Sequence, residues 1–343
     1  MPILGTLASD SVNAYRAVKK TTSKVLFLMD NAGYIQRSAD FGLTWNQCTM
    51  ANTMTYGKYL VIVKFPTVYI AVPAGDSNGD YYWSSPDGIT WTRYRGGWGY
   101  SNYGACFGNG KLVVVSLFPN GFAYTTTDGI TWNYNYFAFT DFNSGGYNGF
   151  GGGIVIPTWM PGPNKYGVMC TVWNTDYTDL DSWGCYSADG LNWTNNDVDF
   201  SRPQSPVNFS SAHATTGGAV FYQQFGSAAT YNTNWVPDWQ NGGSPTINVS
   251  SMYGGWIGTA LGKCFLSDGS TIQYTSNMKD FSTSVTMPAG GCCGWCDDGT
   301  NIYTTNGGKL YKSSDGGANF SSVGALGFTT SPYWSTLNCV SII

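Results

Sequence analysis

Apolar residues along this chain gather into short runs closed by turn residues. Val25-Leu26-Phe27-Leu28-Met29, Tyr59-Leu60-Val61-Ile62-Val63 and Leu112-Val113-Val114-Val115 each have strand length, with Gly, Asn, Asp, Ser or Pro soon after. Uninterrupted apolar runs bounded in this way predict strands buried on both sides. The clearest unit is Gly104-Ala105-Cys106-Phe107-Gly108, a two-residue Asn109-Gly110 hairpin turn, then Lys111–Val115 and Phe122-Ala123-Tyr124-Thr125. The same grammar predicts strands at Ala219–Tyr222, Gly254–Gly258, Asn301–Thr304 and Lys309–Lys312, while Pro157–Asn164 reads as an inserted loop.

Between the strands one polar pattern returns. Ser38-Ala39-Asp40-Phe41-Gly42-Leu43-Thr44-Trp45 has relatives at Ser85–Trp91, Thr126–Trp132, Ser187–Trp193 and Ser313–Phe320, with weaker copies ending at Trp235 and Phe281. The closing aromatics, at 45, 91, 132, 193, 235, 281 and 320, are 39 to 61 residues apart. A period of about 40–50 residues built from short strands is that of propeller blades. In each copy the hydroxyl and the Asp carboxylate suit backbone N–H groups in a turn, Gly supplies a positive φ, and the ring covers the gap to a neighbour.

The pattern resembles the Asp box, S-x-D-x-G-x-T-W, of sialidase-like BNR-repeat propellers. Asp40 and Asp315 sit in full-length boxes; those of Asp87, Asp128 and Asp189 are one residue shorter. The resemblance implies an all-β, seven-bladed β-propeller with Asp-box repeats, six blades being the alternative. It implies that these five aspartates are structural, on the face away from the family's usual active site. Residues 1–20 carry no repeat and read as a leader or attachment segment. Residues 21–343 then form one propeller, closed by a C-terminal strand at Leu337–Ile343 that pairs with the first blade.

Composition narrows the chemistry. The chain has 45 Gly, 16% aromatic and only 10% charged residues, and its 20 acidic residues are all Asp. Absence of Glu argues against substantial helix and removes the commonest glycosidase carboxylate. A net charge of −4 offers no basic footprint for nucleic acid or anionic membrane. The N-terminus has neither the basic start nor the apolar core of a secretory signal. Nine Cys, mostly in apolar strand contexts, suit synthesis in a reducing cytosol. The Cys292-Cys293-Gly294-Trp295-Cys296 cluster reads as packing, with metal binding as its alternative.

A sialidase of this family needs three arginines, a tyrosine nucleophile, a glutamate and an acid aspartate; here there are five Arg and no Glu. Two acidic loops suit calcium by ligand type, one with Asp76 and Asp80, the other with Asp176, Asp179 and Asp181; solvated turn carboxylates are the plainer reading, and no cofactor is expected. The stronger signal is aromatic. Trp98, Tyr100, Tyr103, Tyr147 and Trp239 lie in Gly/Asn/Ser-rich loops opposite the boxes, where flat rings beside amides and hydroxyls suit sugar faces or a protein partner; inter-blade packing is the alternative for each. The resulting expectation is a non-enzymatic bacteriophage virion protein of tail-fibre, receptor-binding or head-decoration type. It would be oligomeric on the particle, binding other virion proteins or a host-surface glycan, with no nucleic acid and no membrane insertion. A glycoside hydrolase using Asp pairs and a scaffold for protein assembly are the alternatives.

Overall fold

The computed structural model describes residues 23–54, 59–74, 80–98, 103–116, 122–136, 147–150, 156–162, 164–174, 180–196, 208–215, 218–225, 230–236, 246–248, 256–267, 271–276, 283–286, 292–306, 308–330 and 337–342. Among these residues the regular elements are all strands, and they hydrogen-bond into seven sheets. Sheet 1 runs from Asn338–Ile342 through Ser23–Met29 and Ile35–Ser38 to Asn46–Gln47. Sheet 2 contains Tyr59–Lys64, Tyr69–Ala74, Tyr81–Ser85 and Thr90–Arg95, with Thr49–Met50 added in parallel to the last. Sheet 3 is Tyr103–Gly108, Lys111–Ser116, Phe122–Thr126 and Asn133–Tyr136. Sheets 4 to 7 begin at Tyr147, Asn208, Trp256 and Cys292 and repeat the antiparallel meander.

Inner strands of the seven sheets touch one another in a closed cycle. Asn338–Ile342 meets Tyr59–Lys64, which meets Tyr103–Gly108; Ile156–Met160, Asn208–Thr215, Trp256–Ala260 and Cys292–Asp297 follow, and the last returns to Asn338–Ile342. The molecule is a β-propeller. Its core lies between the sheets, which explains why the strands read as continuous apolar runs. In Lys111–Ser116, Leu112 and Val114 pack against Val63, Ile70 and Val72 of sheet 2. Val113 points the other way, under the turn of sheet 4.

One sheet is assembled from both parts of the chain. Asn338–Ile342 pairs antiparallel with Ser23–Met29, in the register Phe27 opposite Asn338 through Ser23 opposite Ile342. On the other side, the Asn338 side chain donates to the Leu60 carbonyl at 3.0 Å and accepts from the Ile62 N–H at 3.2 Å. The side-chain amide thus joins two inner strands as a peptide group would, where an open ring would leave backbone groups unpaired.

The repeated turns share one hydrogen-bond plan. In sheet 3, the Thr126 hydroxyl donates to Asp128 Oδ1 at 3.0 Å and accepts from Gly129 N–H at 2.8 Å; Asp128 Oδ1 accepts from Ile130 and Thr131 N–H, both at 2.8 Å. The turns of Asp87 and Asp189 repeat this pattern. In the turns of Asp40 and Asp315 the donating N–H groups move out by one residue, to Gly42 and Thr44 or Gly317 and Asn319. The additional residue is a second left-handed one: Phe41 at φ 57° precedes Gly42 at 93°, and Gly316 at 72° precedes Gly317 at 96°. Each short turn passes through a single left-handed glycine, such as Gly129 at φ 76°.

These glycines also press on a neighbouring sheet. A Cβ on Gly129 would fall 2.7 Å from Phe65 Cδ2 and 2.7 Å from Val68 Cγ1 of sheet 2, and one on Gly190 would fall 2.7 Å from Val113 of sheet 3. The turn therefore seals one sheet against the one before it.

The stretch expected to be an inserted loop, Pro157–Asn164, is corrected by the structure. Ile156–Met160 is a strand paired with Lys165–Asn174, in the register Met160 opposite Lys165, and the described turn residues Pro161, Gly162 and Asn164 follow it. Its Trp159 occupies the space that Gly108 of sheet 3 leaves open, where a Cβ would lie 2.0 Å from the indole. A strand containing Pro157 forms here because its neighbour supplies the packing.

Candidate functional site

The aromatic and acidic candidates are distributed unevenly over the fold. Trp98 is 1% exposed, packed with Val63, Ile70 and Tyr124 between sheets 2 and 3, so the expectation that it presents a ring to a ligand is corrected. The left-handed Gly97 just before it folds the chain so that the indole turns inward. Burying a ring of this size contributes about 2–3 kcal/mol to the inter-sheet core, more than an isolated surface ring gains. Tyr103 and Tyr147 begin strands, opposite Ser116 and Asn174 respectively, and Asp181 lies on a strand opposite Val172. Tyr100, Trp239, Asp76, Asp176 and Asp179, like the segment 1–20, lie outside the described residues.

Asp80, a candidate calcium ligand, is committed to the local backbone. Its carboxylate accepts from Gly97 N–H at 2.9 Å and from Arg95 Nε at 3.2 Å, and its carbonyl accepts from Gly96 N–H. No group of three or more His, Cys, Asp or Glu suited to a metal occurs among the described residues. The five turn aspartates are similarly spent on backbone N–H groups. The hydrogen bonds from Ile130 and Thr131 hold the Asp128 carboxyl down at about 2, and those from Thr44 hold Asp40 at about 2.

What the fold does assemble is an aromatic wedge between sheets 2 and 3 toward their outer strands. On sheet 2, Tyr82 and Tyr94 are directly opposite across the strand pair and their rings stack at 5.6 Å. On sheet 3, Tyr124 is opposite Tyr134 and Phe122 opposite Tyr136, with ring centroids 5.8 and 5.1 Å apart. Trp98 and Trp132 form the floor, 5.4 Å from each other and 5.6 and 5.5 Å from Tyr82. Tyr94, Tyr134 and Tyr136 remain 46%, 69% and 51% exposed.

The geometry follows from period-two alternation. Trp132, Tyr134 and Tyr136 occupy alternate positions leading from the turn along Asn133–Tyr136, so all three face sheet 2. Asn135, between them, faces the opposite way and donates to Asn192 Oδ1 of sheet 4 at 3.1 Å. On sheet 2, Trp91 packs toward sheet 1 while Tyr94 faces sheet 3. Burial pushes the Tyr82 and Tyr124 hydroxyls above their usual range, so both stay neutral; Tyr124 O–H donates to the Gly97 carbonyl at 2.8 Å. The wedge thus offers uncharged ring faces with phenol groups at their edges. The chain reading missed Tyr82, Tyr94, Tyr134 and Tyr136, although the spacing Trp132-Asn133-Tyr134-Asn135-Tyr136 carries the signal.

No protein-family model and no curated protein matches this chain. Its fold is similar to that of solved structures at low identity. A functionally unknown protein from Desulfotomaculum acetoxidans DSM 771 is 12% identical with a TM-score of 0.55, covering 94% of this chain and 100% of that one. Citrobacter koseri AztD is 8% identical with a TM-score of 0.51, over 92% of this chain and 98% of that one. Trypanosoma rangeli sialidase in complex with the inhibitor DANA is 10% identical with a TM-score of 0.49, over 81% of this chain and 55% of that one. The first two likenesses carry the fold alone, and the third carries no argument about this chain.

Proposed function

We propose that this protein is a non-enzymatic adhesion component of a virion, holding a host-surface glycan in the aromatic wedge between sheets 2 and 3. The observation that carries the reading is the set of exposed, cross-strand-paired tyrosines over a tryptophan floor. Rings at this spacing match the C–H faces of successive pyranose units, while phenol groups meet hydroxyls, and several weak sites on one particle compensate for modest single-site affinity. The bacteriophage setting, tail or head, rests on composition: no Glu, few charges, and abundant Gly, Asn, Thr and Tyr. We count each sheet as one blade; seven sheets and the closed cycle of inner strands support seven blades over six. We identify the Ser/Thr-x-Asp turns with the Asp box, supported by their shared hydrogen-bond plan.

The test is a glycan array and a host-cell binding assay on the purified protein, with released sugar measured in the same wells. Binding without release is expected. Tyr94→Ala, Tyr134→Ala and Tyr136→Ala should each weaken binding about tenfold, roughly 1.4 kcal/mol, without moving the melting midpoint, because these rings are exposed. Sugar release would establish hydrolysis instead. Binding untouched by all three substitutions would remove the wedge as its site, and capture of a virion protein without any glycan would replace the ligand class.

A further inference from the structure

We propose that Cys296 and Cys339 form an intramolecular disulfide that fastens the C-terminal closing strand to sheet 7 when the protein meets an oxidising environment. Cys296 lies on Cys292–Asp297, the inner strand of sheet 7, and Cys339 on Asn338–Ile342, the inner strand of sheet 1. These strands touch where sheet 7 packs against sheet 1. Alternation puts the thiols together. Asn338 and Val340 face sheet 2, so Cys339 between them faces sheet 7 and packs in the cluster of Cys296, Leu26, Leu28 and Leu310. The two thiols share a hydrogen bond, and neither is oxidised in this structure.

Their reactivity is unequal. Cys48, Cys106, Cys185, Cys264 and Cys296 are buried free thiols, whereas among the described residues with free thiols Cys339 alone keeps partial exposure. The hydrogen bond from Cys296 pulls the Cys339 thiol below its usual range, aided by Lys24 and opposed by burial and by Asp298 and Asp297. Burial, reinforced by that hydrogen bond and the same carboxylates, pushes Cys296 up. Cys339 is therefore the attacking thiolate and Cys296 the resolving thiol.

With a small-molecule disulfide as oxidant, the Cys339 thiolate attacks one of its sulfurs; a mixed disulfide forms and one small thiolate leaves. Cys296 then loses its proton to solvent and attacks the Cys339 sulfur, displacing the second small thiolate. Two electrons pass from the protein to the oxidant, which departs as two thiols. The product joins the closing strand to the inner strand of sheet 7, while the pairing of that strand with Ser23–Met29 remains one of hydrogen bonds.

The experiment treats the reduced full-length protein with oxidised glutathione, alkylates the remaining thiols and analyses tryptic peptides without reduction. The expected result is a link between the peptides carrying Cys296 and Cys339, assigned by fragmentation to Cys296 rather than to Cys292 or Cys293. Oxidation should raise the melting midpoint of the wild type by several degrees and leave Cys339→Ser and Cys296→Ser unmoved. The reduced variants should melt near the reduced wild type, which shows that they fold. A Cys339–glutathione adduct that persists without the link, a link to any other cysteine, or an equal melting rise in Cys339→Ser would overturn the proposal.

Discussion

Gly129→Ala tests whether the repeated turn is a seal between sheets or only a local loop. Gly129 has φ 76°, and its missing Cβ would lie 2.7 Å from Phe65 Cδ2, 2.7 Å from Val68 Cγ1 and 3.0 Å from Ile70 Cγ1. Two costs add. A left-handed backbone costs an L-residue about 1–2 kcal/mol. Forcing a methyl group into a closed contact costs about 1–3 kcal/mol more, because Phe65 and Ile70 are buried and have little room to retreat. Gly110→Ala supplies the control. Its φ is 71°, yet nothing lies within 4 Å of the Cβ position. It bears the backbone cost of about 1–2 kcal/mol alone, and the loss of unfolded-state entropy is shared by both variants and cancels. The expected difference between the two is thus about 1–3 kcal/mol, read from guanidinium melts as a shift in midpoint at constant slope. Equal destabilisation of the two variants would refute the claim that these turns press on the preceding sheet.

Acid should unseat the turns. Hydrogen bonds from Thr44, Ile130 and Asn319 foremost hold Asp40, Asp128 and Asp315 at about 2, against 3.8 for a free Asp. Folded values below unfolded ones mean stability that is complete above about pH 4 and declines as pH falls toward 2; melting midpoints across that window check it, and a flat profile would contradict the role assigned to the carboxylates. Asn338→Ala removes both side-chain bonds to Leu60 and Ile62. It should cost about 1–3 kcal/mol in a denaturant titration, and hydrogen exchange should quicken first along Tyr59–Lys64 and Ser23–Met29; protection unchanged there would argue that the pairing with Ser23–Met29 alone holds the seam.

The parts of this fold that were legible along the chain are those whose cause is local. A Ser or Thr two residues before an Asp, followed by Gly, contains the donors, acceptors and positive φ of its own turn, and all five such turns form as that chemistry dictates. Apolar runs such as Leu112–Val115 announced strands covered on both faces because that property needs no knowledge of the neighbour. Pro157–Asn164 was misread for the converse reason: its strand exists through pairing with Lys165–Asn174 and through Trp159 filling the space beside Gly108.

The destination of each ring was the least legible feature. Trp98 in a Gly-rich loop and Tyr134 in a polar strand look equally exposed in one dimension, yet the first is 1% and the second 69% exposed. Alternation states which side of a strand a ring takes; it does not state how much of that ring the next sheet covers. By itself, the sequence determined the repeat, the all-β class and the turns, since hydrogen bonds spanning two to four residues depend on nothing outside them. Only the tertiary structure decided the wedge, the Asn338 bridge and the meeting of Cys296 with Cys339, because each depends on where one sheet's side chains stand relative to another's.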